Sequence, residues 1–157
     1  LIENIGSADR LVQESAADIR HGGDQAYYVP AQDYIMMPAR SMFKDTTTST
    51  ATENYYSTLF HELTHWTGAK HRLDRLNTAK FGGKDYAFEE LVAELGAAMC
   101  CASTGVTSSP REDHARYIQN WLHALKSDKR FIFAAASQAQ KAVDFLFSQQ
   151  QAETLAA

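Results

Sequence analysis

Two histidines and a glutamate form the group in this sequence with the clearest chemical potential. The segment HELTH, residues 61–65, contains His61, Glu62 and His65. If the segment is helical, residues i and i+4 lie one above the other on one face, so the two imidazoles can bind a single metal ion. Glu62 lies beside them, where it can act as general base for a water molecule activated by the metal. The spacing alone also fits a surface helix with two ordinary histidines. The apolar stripe of the predicted helix, the predicted strands before it and the acid-bearing helix after it together favour metal-assisted hydrolysis of a peptide bond.

A catalytic zinc ion takes three ligands from the protein and leaves the fourth position to water, so a third ligand is needed. His71 is one candidate, because residues 61–71 read HELTHWTGAKH and resemble the metzincin pattern HExxHxxGxxH at every fixed position. Metzincins also place a methionine in a tight turn under the metal. Met99 lies in AAMCCA, which we predict to be a helix interior, and His71 lies in a predicted charged surface turn. His71 therefore stays as the alternative ligand.

Glu90 is the candidate that we favour as third ligand. In FEELVAELGAA, Glu90 and Glu94 are four residues apart and share a helix face where apolar burial begins. Burying two carboxylates is costly unless a cation or hydrogen-bond donors meet them, and a metal with its histidines supplies both. The arrangement resembles that of gluzincins, with Glu90 as ligand and Glu94 as the acid that orients a ligand histidine. Glu89 is interpreted as part of a solvated acidic edge near the helix start.

Several other residues have suitable chemistry, but we expect them to have ordinary roles. His114, Tyr117 and His123 lie on a later predicted helix, from which His114 or Tyr117 could donate a hydrogen bond to an oxyanion. Such residues are more often part of the core or the surface. The adjacent Cys100 and Cys101 lie in an apolar helical segment and are expected to serve packing.

Hydrophobic periodicity and turn residues predict the elements that would position these groups. A helix is predicted over residues 4–20, followed by short strands at 26–29 and 34–37, one of them an edge strand, each closed by a proline. The Thr- and Ser-rich stretch 44–52 predicts a loop that ends in an N-cap. Helices are then predicted over 53–67, 86–103, 112–126 and 129–151, the second of them central. The predicted class is α+β, mostly helical with a small sheet around one core.

Composition limits the choice of partners. The formal net charge of −4 over 157 residues gives no basic surface for a nucleic acid, so any DNA contact would be local or made by another domain. No apolar run approaches the roughly 20 residues of a membrane span. The two adjacent cysteines exclude a disulfide framework and fit a reducing compartment, so we expect a cytoplasmic protein.

Four stretches resemble the C-terminal domain of the ArdC and TraC-like antirestriction proteins of conjugative plasmids. They are AYYVPAQDYIMMP, YYSTLFHELTHWTGAKHRLDR, FGGKDYAFEELVAELGAA and HARYIQNWLHALKSDKRFIFAAASQAQKAVDFL, in this order and at compatible spacing. The resemblance covers most of the chain from about Ala26 onwards, and together the stretches are far more specific than the metal motif.

The resemblance implies a zincin-like, gluzincin-type metallopeptidase domain over residues 1–157. It also implies protection of incoming plasmid DNA against restriction, with a protein or peptide as substrate. In that family an N-terminal domain binds single-stranded DNA. We expect this domain to be absent from the chain, which would then contact DNA only through such a domain. We expect one Zn²⁺ per chain, or Mn²⁺ or another divalent ion in its place. The competing hypothesis is a non-catalytic interaction domain in which the metal only stabilises the fold.

Overall fold

The chain is described by a computed structural model that covers residues 1–76, 83–107, 112–126 and 128–154. Within these ranges it contains a three-stranded sheet and five α-helices, so the predicted α+β class, mostly helical with a small sheet, is confirmed. No helix in the described ranges is both long enough and apolar enough to cross a membrane. The elements in chain order are α1 (Gly6–Ser15), β1 (Asp18–His21), β2 (Tyr27–Val29), β3 (Tyr34–Met37), α2 (Ala51–Thr67), α3 (Lys84–Thr104), α4 (Glu112–Ala124) and α5 (Lys129–Thr154).

The N-terminal helix is shorter than its sequence predicts. α1 ends at Ser15 because Ala16 adopts a left-handed conformation, with φ of 55°, and its N–H bonds back to the Gln13 carbonyl. The prediction of a helix through residue 20 is therefore wrong, since residues 18–21 form β1. β1 pairs in parallel with β3, and the side chain of Ile19 packs against the core. This pairing partner lies 16 residues away, beyond the range of helical periodicity.

The sheet has the order β1-β3-β2, with β3 in the centre. β2 pairs antiparallel with β3 and forms one edge, as predicted for one of the two Tyr-rich segments. Ile35 and Met37 of β3 are fully buried and alternate with half-buried Tyr34 and Met36. This alternation places the inner face of the sheet on the helices.

Helix α2 has defined signals at both ends. Thr50 caps it in a capping box with Glu53, in which each side chain accepts a hydrogen bond from the other residue's backbone N–H. At the other end Gly68 is the C-cap with φ of −80°, so no left-handed turn is needed there. A Cβ on Gly68 would instead lie 3.0 Å from Arg75 Nη2 and from Leu76 Cγ. A larger residue would therefore crowd the side chains of Arg75 and Leu76, which fold back over this position.

Helix α3 is central, as predicted, because it packs against α2, α4 and α5. Its contact with α2 is closest at Gly96, where a Cβ would lie 2.6 Å from Thr64 Oγ1. This close approach lets the side chains of the two helices meet. α4 and α5 cover the opposite side of α3 and enclose a second cluster of apolar residues with Leu91, Val92, Leu125, Ala135 and Ala139.

Candidate metal centre

The two histidines of α2 lie on the face that meets α3. Their side chains are only 16% and 13% exposed for His61 and His65 respectively. The two Nε2 atoms lie 3.1 Å apart and the ring planes are nearly perpendicular. The predicted helix has therefore brought both imidazoles to one point, as the i, i+4 spacing requires.

Glu90 of α3 completes this group. Its Oε2 lies 3.3 Å from His61 Nε2 and its Oε1 lies 3.1 Å from His65 Nε2. One ligand atom from each of the three residues falls within 4.8 Å of the others, and this is the one such group found in the described part of the chain. Two imidazoles and one carboxylate form a borderline donor set that suits Zn²⁺ and accepts Mn²⁺.

The outer nitrogens of both rings face carboxylates. His61 Nδ1 lies 3.2 Å from Glu94 Oε1, and His65 Nδ1 lies 3.1 Å from Glu89 Oε1. An ionised carboxylate only accepts hydrogen bonds, so each Nδ1 donates to its own acid and each Nε2 faces Glu90. With Nδ1 held in this way, Nε2 is the nitrogen through which each ring would bind a metal ion.

Glu89 is a correction to the sequence analysis. The side chain is buried, at 8% exposure, and does not belong to a solvated edge. Its Oε1 accepts from His65, and both of its oxygens accept from the guanidinium of Arg75. These partners outweigh the desolvation that would raise the pKa of Glu89 and hold it below its usual value. The pattern FEEL does not reveal this role, because the cation that permits burial comes from a different segment.

The histidines and carboxylates of this group shift one another's pKa values. Burial acts to lower the pKa of His61, but hydrogen bonds to Glu90 and Glu94 outweigh it and raise the pKa to about 10. Burial likewise acts to raise the pKa of Glu90, and the hydrogen bonds from His61 and His65 lower it well below its usual range.

Glu62 lies beside this group rather than in it. It is 8% exposed and borders the space next to His61, His65 and Glu90. Burial raises its pKa above the usual value, while the two histidines and a hydrogen bond from the backbone N–H of Tyr28 act in the other direction. A carboxylate with a raised pKa is a better proton acceptor near neutral pH.

His71 lies apart from the other histidines. Its side chain is 63% exposed and its Nε2 lies 3.2 Å from Asp33 Oδ2. It is absent from the cluster of possible ligands, although the motif around it matches the metzincin pattern. Met99 lies within α3 rather than in a turn, as predicted.

The other residues with suitable chemistry, where the structure describes them, do not belong to the group of possible metal ligands. Tyr117 is 53% exposed and borders a cavity next to the metal centre, and His123 is exposed on α4. The side chain of His114 lies outside the described residues. Cys100 and Cys101 are buried in the apolar core, where they serve packing as predicted.

Two cavities border the metal centre, and His61, Glu62 and Glu90 line both. The first has a volume of about 430 Å³, and its other walls include Ala26, Tyr27, Tyr28, Pro30, Leu76 and Tyr86. The second has a volume of about 610 Å³ and is more polar, with Thr46, Asn54, Ser57, Thr58, Tyr117 and Trp121 among its walls. Among the described residues that line the two cavities, none is a lysine or an arginine. The histidines and carboxylates that line the two cavities all belong to the group around His61 and His65.

Tyr86 is a further residue that the sequence analysis missed. Its side chain lines the first cavity and packs edge-on against Trp121, with ring centroids 5.7 Å apart. Burial, together with the nearby Glu90 and Glu62 carboxylates and a hydrogen bond to Glu90, raises the pKa of Tyr86. The phenol thus remains protonated and is a hydrogen-bond donor at the centre. No spacing pattern in the sequence marks this residue.

The fold and the site together define a class of protein. The chain belongs to the zincin-like metallopeptidase family, whose model MPTase-PolyVal matches residues 6–138. The predicted zincin-like fold is thereby confirmed.

Individual relatives narrow the identification. The chain is similar to two crystal structures of the antirestriction protein ArdC from plasmid R388. The Mn(II)-bound structure has 46% identity and a TM-score of 0.73, and the match covers 94% of this chain and 53% of that one. The metal-free structure has 44% identity and a TM-score of 0.71, over 94% and 51% of the two chains. The predicted resemblance to the antirestriction family is confirmed.

Two curated relatives extend this comparison. Protein y4eC of Sinorhizobium fredii is 47% identical over 148 residues, which are 94% of this chain and 46% of y4eC. DNA primase TraC of Escherichia coli is 39% identical over 148 residues, which are 94% of this chain and 13% of TraC. The chain thus spans about half the length of ArdC and y4eC and a much smaller part of TraC.

Proposed function

We propose that this chain is a metal-dependent peptidase domain in which His61, His65 and Glu90 hold one divalent ion and Glu62 is the general base. The observation that supports this most directly is the convergence of both Nε2 atoms and the Glu90 carboxylate, with each Nδ1 held by its own acid. Glu94 and Glu89 are the acids that orient the ligand histidines. This ligand set uses Glu90, and His71 has no part in it.

A divalent ion in this site would supply Lewis acidity, which lowers the pKa of a bound water and polarises a substrate carbonyl. The contribution of the protein is to arrange groups around that position. Glu62 is held by the backbone of Tyr28 at the border of both cavities, where its carboxylate can accept a proton from water and pass it to the leaving amine. The Tyr86 phenol offers a hydrogen-bond donor on the side of the first cavity.

The shape of the cleft favours an extended peptide as substrate. Both cavities border the centre and share four lining residues, and β2 forms the sheet edge beside the first cavity. β3 cannot pair with a substrate strand, because it already has a neighbour on each side. β2 is the strand on which a substrate could add, with main-chain hydrogen bonds supplying affinity.

Zinc is the ion that we propose, because two imidazoles and one carboxylate form the usual ligand set of a catalytic zinc site. Manganese is the alternative, and the Mn(II)-bound crystal structure of R388 ArdC supports it.

We further propose that the domain serves a plasmid antirestriction protein. The support is the similarity to ArdC over 94% of this chain. The substrate that we propose is a protein or peptide, because the edge strand β2 beside the centre could pair with an extended chain. Contact with single-stranded DNA would belong to another part of the full-length protein, and the site of action would be the cytoplasm.

The second candidate is a non-catalytic domain in which the metal only stabilises the fold and the surface binds DNA-associated proteins. The names of the relatives support it, since they refer to antirestriction and to DNA priming and not to proteolysis. A structural zinc site is usually closed by a fourth protein ligand, whereas this group has three.

The two candidates are separated by testing the metal-loaded protein on a panel of denatured proteins. We expect slow cleavage that a chelator stops and that zinc or manganese restores. Glu62→Gln should abolish cleavage while retaining the metal and the fold, because Glu62 lies beside the ligands. The matched control is His71→Ala, an exposed residue outside the group, which should cleave normally. Cleavage that survives Glu62→Gln with the metal still bound would contradict the general-base role.

A further inference from the structure

Arg75 is a buried cation next to the metal centre. Its side chain is 7% exposed and faces the equally buried Glu89. Nε donates to Glu89 Oε2 and Nη2 donates to Glu89 Oε1, both at 3.0 Å. This is the two-point geometry in which a guanidinium fixes the plane of a carboxylate.

The same guanidinium is bound to the helix that carries His65. Nη2 donates to the carbonyl oxygen of Thr64 at 2.6 Å, and Nη1 donates to Thr67 Oγ1 at 3.1 Å. A Cβ on Gly68 would lie 3.0 Å from Arg75 Nη2, so the guanidinium also packs closely against the backbone at Gly68. Arg75 therefore has a fixed position relative to the last turn of α2.

We propose that Arg75 is a positioning residue for the metal centre, which it controls through Glu89. Arg75 fixes the Glu89 carboxylate, and Glu89 holds the Nδ1 of His65 at 3.1 Å so that Nε2 points at the metal position. The proposal rests on the metal site of the proposed function but not on peptide hydrolysis.

The physical need for such a residue follows from the neighbouring charges. Glu89 and Glu90 are adjacent in sequence, and both are buried against His65. The guanidinium contacts both Glu89 oxygens, so it holds the carboxylate in the orientation in which Oε1 meets Nδ1 of His65. With Nδ1 held in this way, Nε2 of His65 is turned toward Glu90.

A purely structural role makes a different prediction. If Arg75 only tied the chain to the end of α2, its loss would weaken metal binding in proportion to the loss of stability, whether or not Glu89 were present. If Arg75 acts through Glu89, its loss weakens binding only where Glu89 is present.

The experiment is a double-mutant cycle with Arg75→Met, Glu89→Leu and the double variant. Chelator-stripped proteins are titrated with zinc against a chromophoric indicator, and thermal unfolding of the same metal-free samples is followed in parallel. We expect Arg75→Met to weaken zinc binding about tenfold, near the lower end of the range for groups that orient a ligand. In the Glu89→Leu background the same change should have no further effect.

Stability should separate from affinity in the double variant. Replacement of a buried ion pair by two apolar side chains is often neutral for folding, whereas removal of one partner is not. The double variant should therefore regain the unfolding temperature lost by either single variant, while its zinc affinity stays as low as that of Glu89→Leu. Arg72→Met is the matched control, because Arg72 is also 7% exposed but pairs with Asp33. It should lower the unfolding temperature without changing zinc affinity.

Three results would overturn the proposal. Arg75→Met could bind zinc as tightly as the unmodified chain, or it could weaken binding by the same factor with and without Glu89. If the unmodified chain binds neither zinc nor manganese, the proposed metal site is wrong, and so is the proposed role of Arg75. If Arg75→Met does not fold, Arg75→Lys replaces it; a lysine keeps the charge but not the planar two-point contact, so affinity should still fall.

Discussion

The two nitrogens of each imidazole in the metal centre have different partners. Nδ1 of His61 and Nδ1 of His65 each donate to an acid of α3, while both Nε2 atoms converge on Glu90. Because the acid fixes both the tautomer and the ring orientation, it contributes to metal affinity without touching the ion. The centre therefore consists of two layers of charged groups, and loss of a residue in either layer should be measurable.

The first prediction ranks three substitutions by their effect on zinc affinity. Glu94→Ala should weaken binding about 10- to 100-fold, as expected for an acid that orients a ligand histidine. Glu90→Ala should weaken it more, because two imidazoles alone then hold the ion. His71→Ala should leave it unchanged, since this side chain is 63% exposed and turned toward Asp33. Competition titrations with a zinc indicator measure all three, and a dominant effect of His71→Ala would favour the metzincin arrangement.

At this scale the sequence predicted the residues whose spacing is local. His61, Glu62 and His65 share one helical turn, and Glu90 and Glu94 share the next helix, so periodicity placed each set on one face. Glu89 was assigned to solvent because its cation, Arg75, comes from the turn after α2. A pairing between two segments leaves no regular spacing in the sequence. The same is true of Tyr86, whose relevance comes from the cavity that it lines.

At the scale of elements, the helices that carry the centre were predicted within two residues at each end. Their signals are local: a capping threonine, an apolar stripe and a glycine at the C-terminal end for α2. The boundary between α1 and β1 was missed because Ala16 turns left-handed and because β1 gains its pairing from β3. Strand formation depends on such tertiary context more than helix formation does.

The second prediction concerns the closest approach of α2 and α3. Alanine normally stabilises a helix interior relative to glycine, but at Gly96 a Cβ would lie 2.6 Å from Thr64 Oγ1. Gly96→Ala should therefore destabilise the protein by about 1–3 kcal/mol, the usual cost of overpacking. Denaturant unfolding measures the change. Gly6→Ala is the matched control, because nothing lies within 4 Å of that position and the substitution should not destabilise.

A rescue variant tests the cause of that effect. Thr64→Ala removes both Thr64 atoms that lie closer than 3.0 Å to the added Cβ. The double variant Thr64→Ala/Gly96→Ala should therefore be more stable than the sum of the two single effects predicts. If the stability effects of the two substitutions simply add, the contact with Thr64 is not the reason why a glycine occupies position 96.

The third prediction concerns the ion pair that joins the turn after β2 to the end of α2. Arg72 Nη1 donates to Asp33 Oδ2 at 2.9 Å, and Tyr28 Oη donates to Asp33 Oδ1 at 2.7 Å. Hydrogen bonds from Arg72, opposed by partial burial and assisted by Tyr28, lower the pKa of Asp33 from 3.8 to about 2. A carboxyl with a lowered folded-state pKa stabilises the fold above its unfolded pKa and loses that effect as the pH falls through the folded value.

Asp33→Asn should accordingly lower the free energy of unfolding at pH 7, and the difference from the unmodified chain should shrink as the pH falls from about 4 toward about 2. Asparagine is the suitable replacement because Asp33 has a φ of 55°, which asparagine also tolerates. Denaturant unfolding across this pH range measures the difference. A difference that does not vary with pH would show that the charge of Asp33 makes no contribution.

At the scale of the whole molecule, the sheet edge and the α2–α3 pair form the walls of one cleft. The sequence predicted the elements and, through its resemblance to a family, the zincin-like fold. It did not predict that β2 rather than β3 borders the cleft, because strand order is a property of tertiary packing. The two cavities likewise form only once residues from the sheet, α2, α3 and α4 are brought together.

The central claim is that His61, His65 and Glu90 hold one divalent ion. Anomalous diffraction at the zinc absorption edge from crystals of the zinc-loaded protein tests it most directly. The account predicts one peak per chain, about 2.0–2.2 Å from Nε2 of both histidines and from a carboxylate oxygen of Glu90. It also predicts that His71 is not a ligand. A peak coordinated by His71 in place of Glu90, or no peak between α2 and α3, would contradict the account.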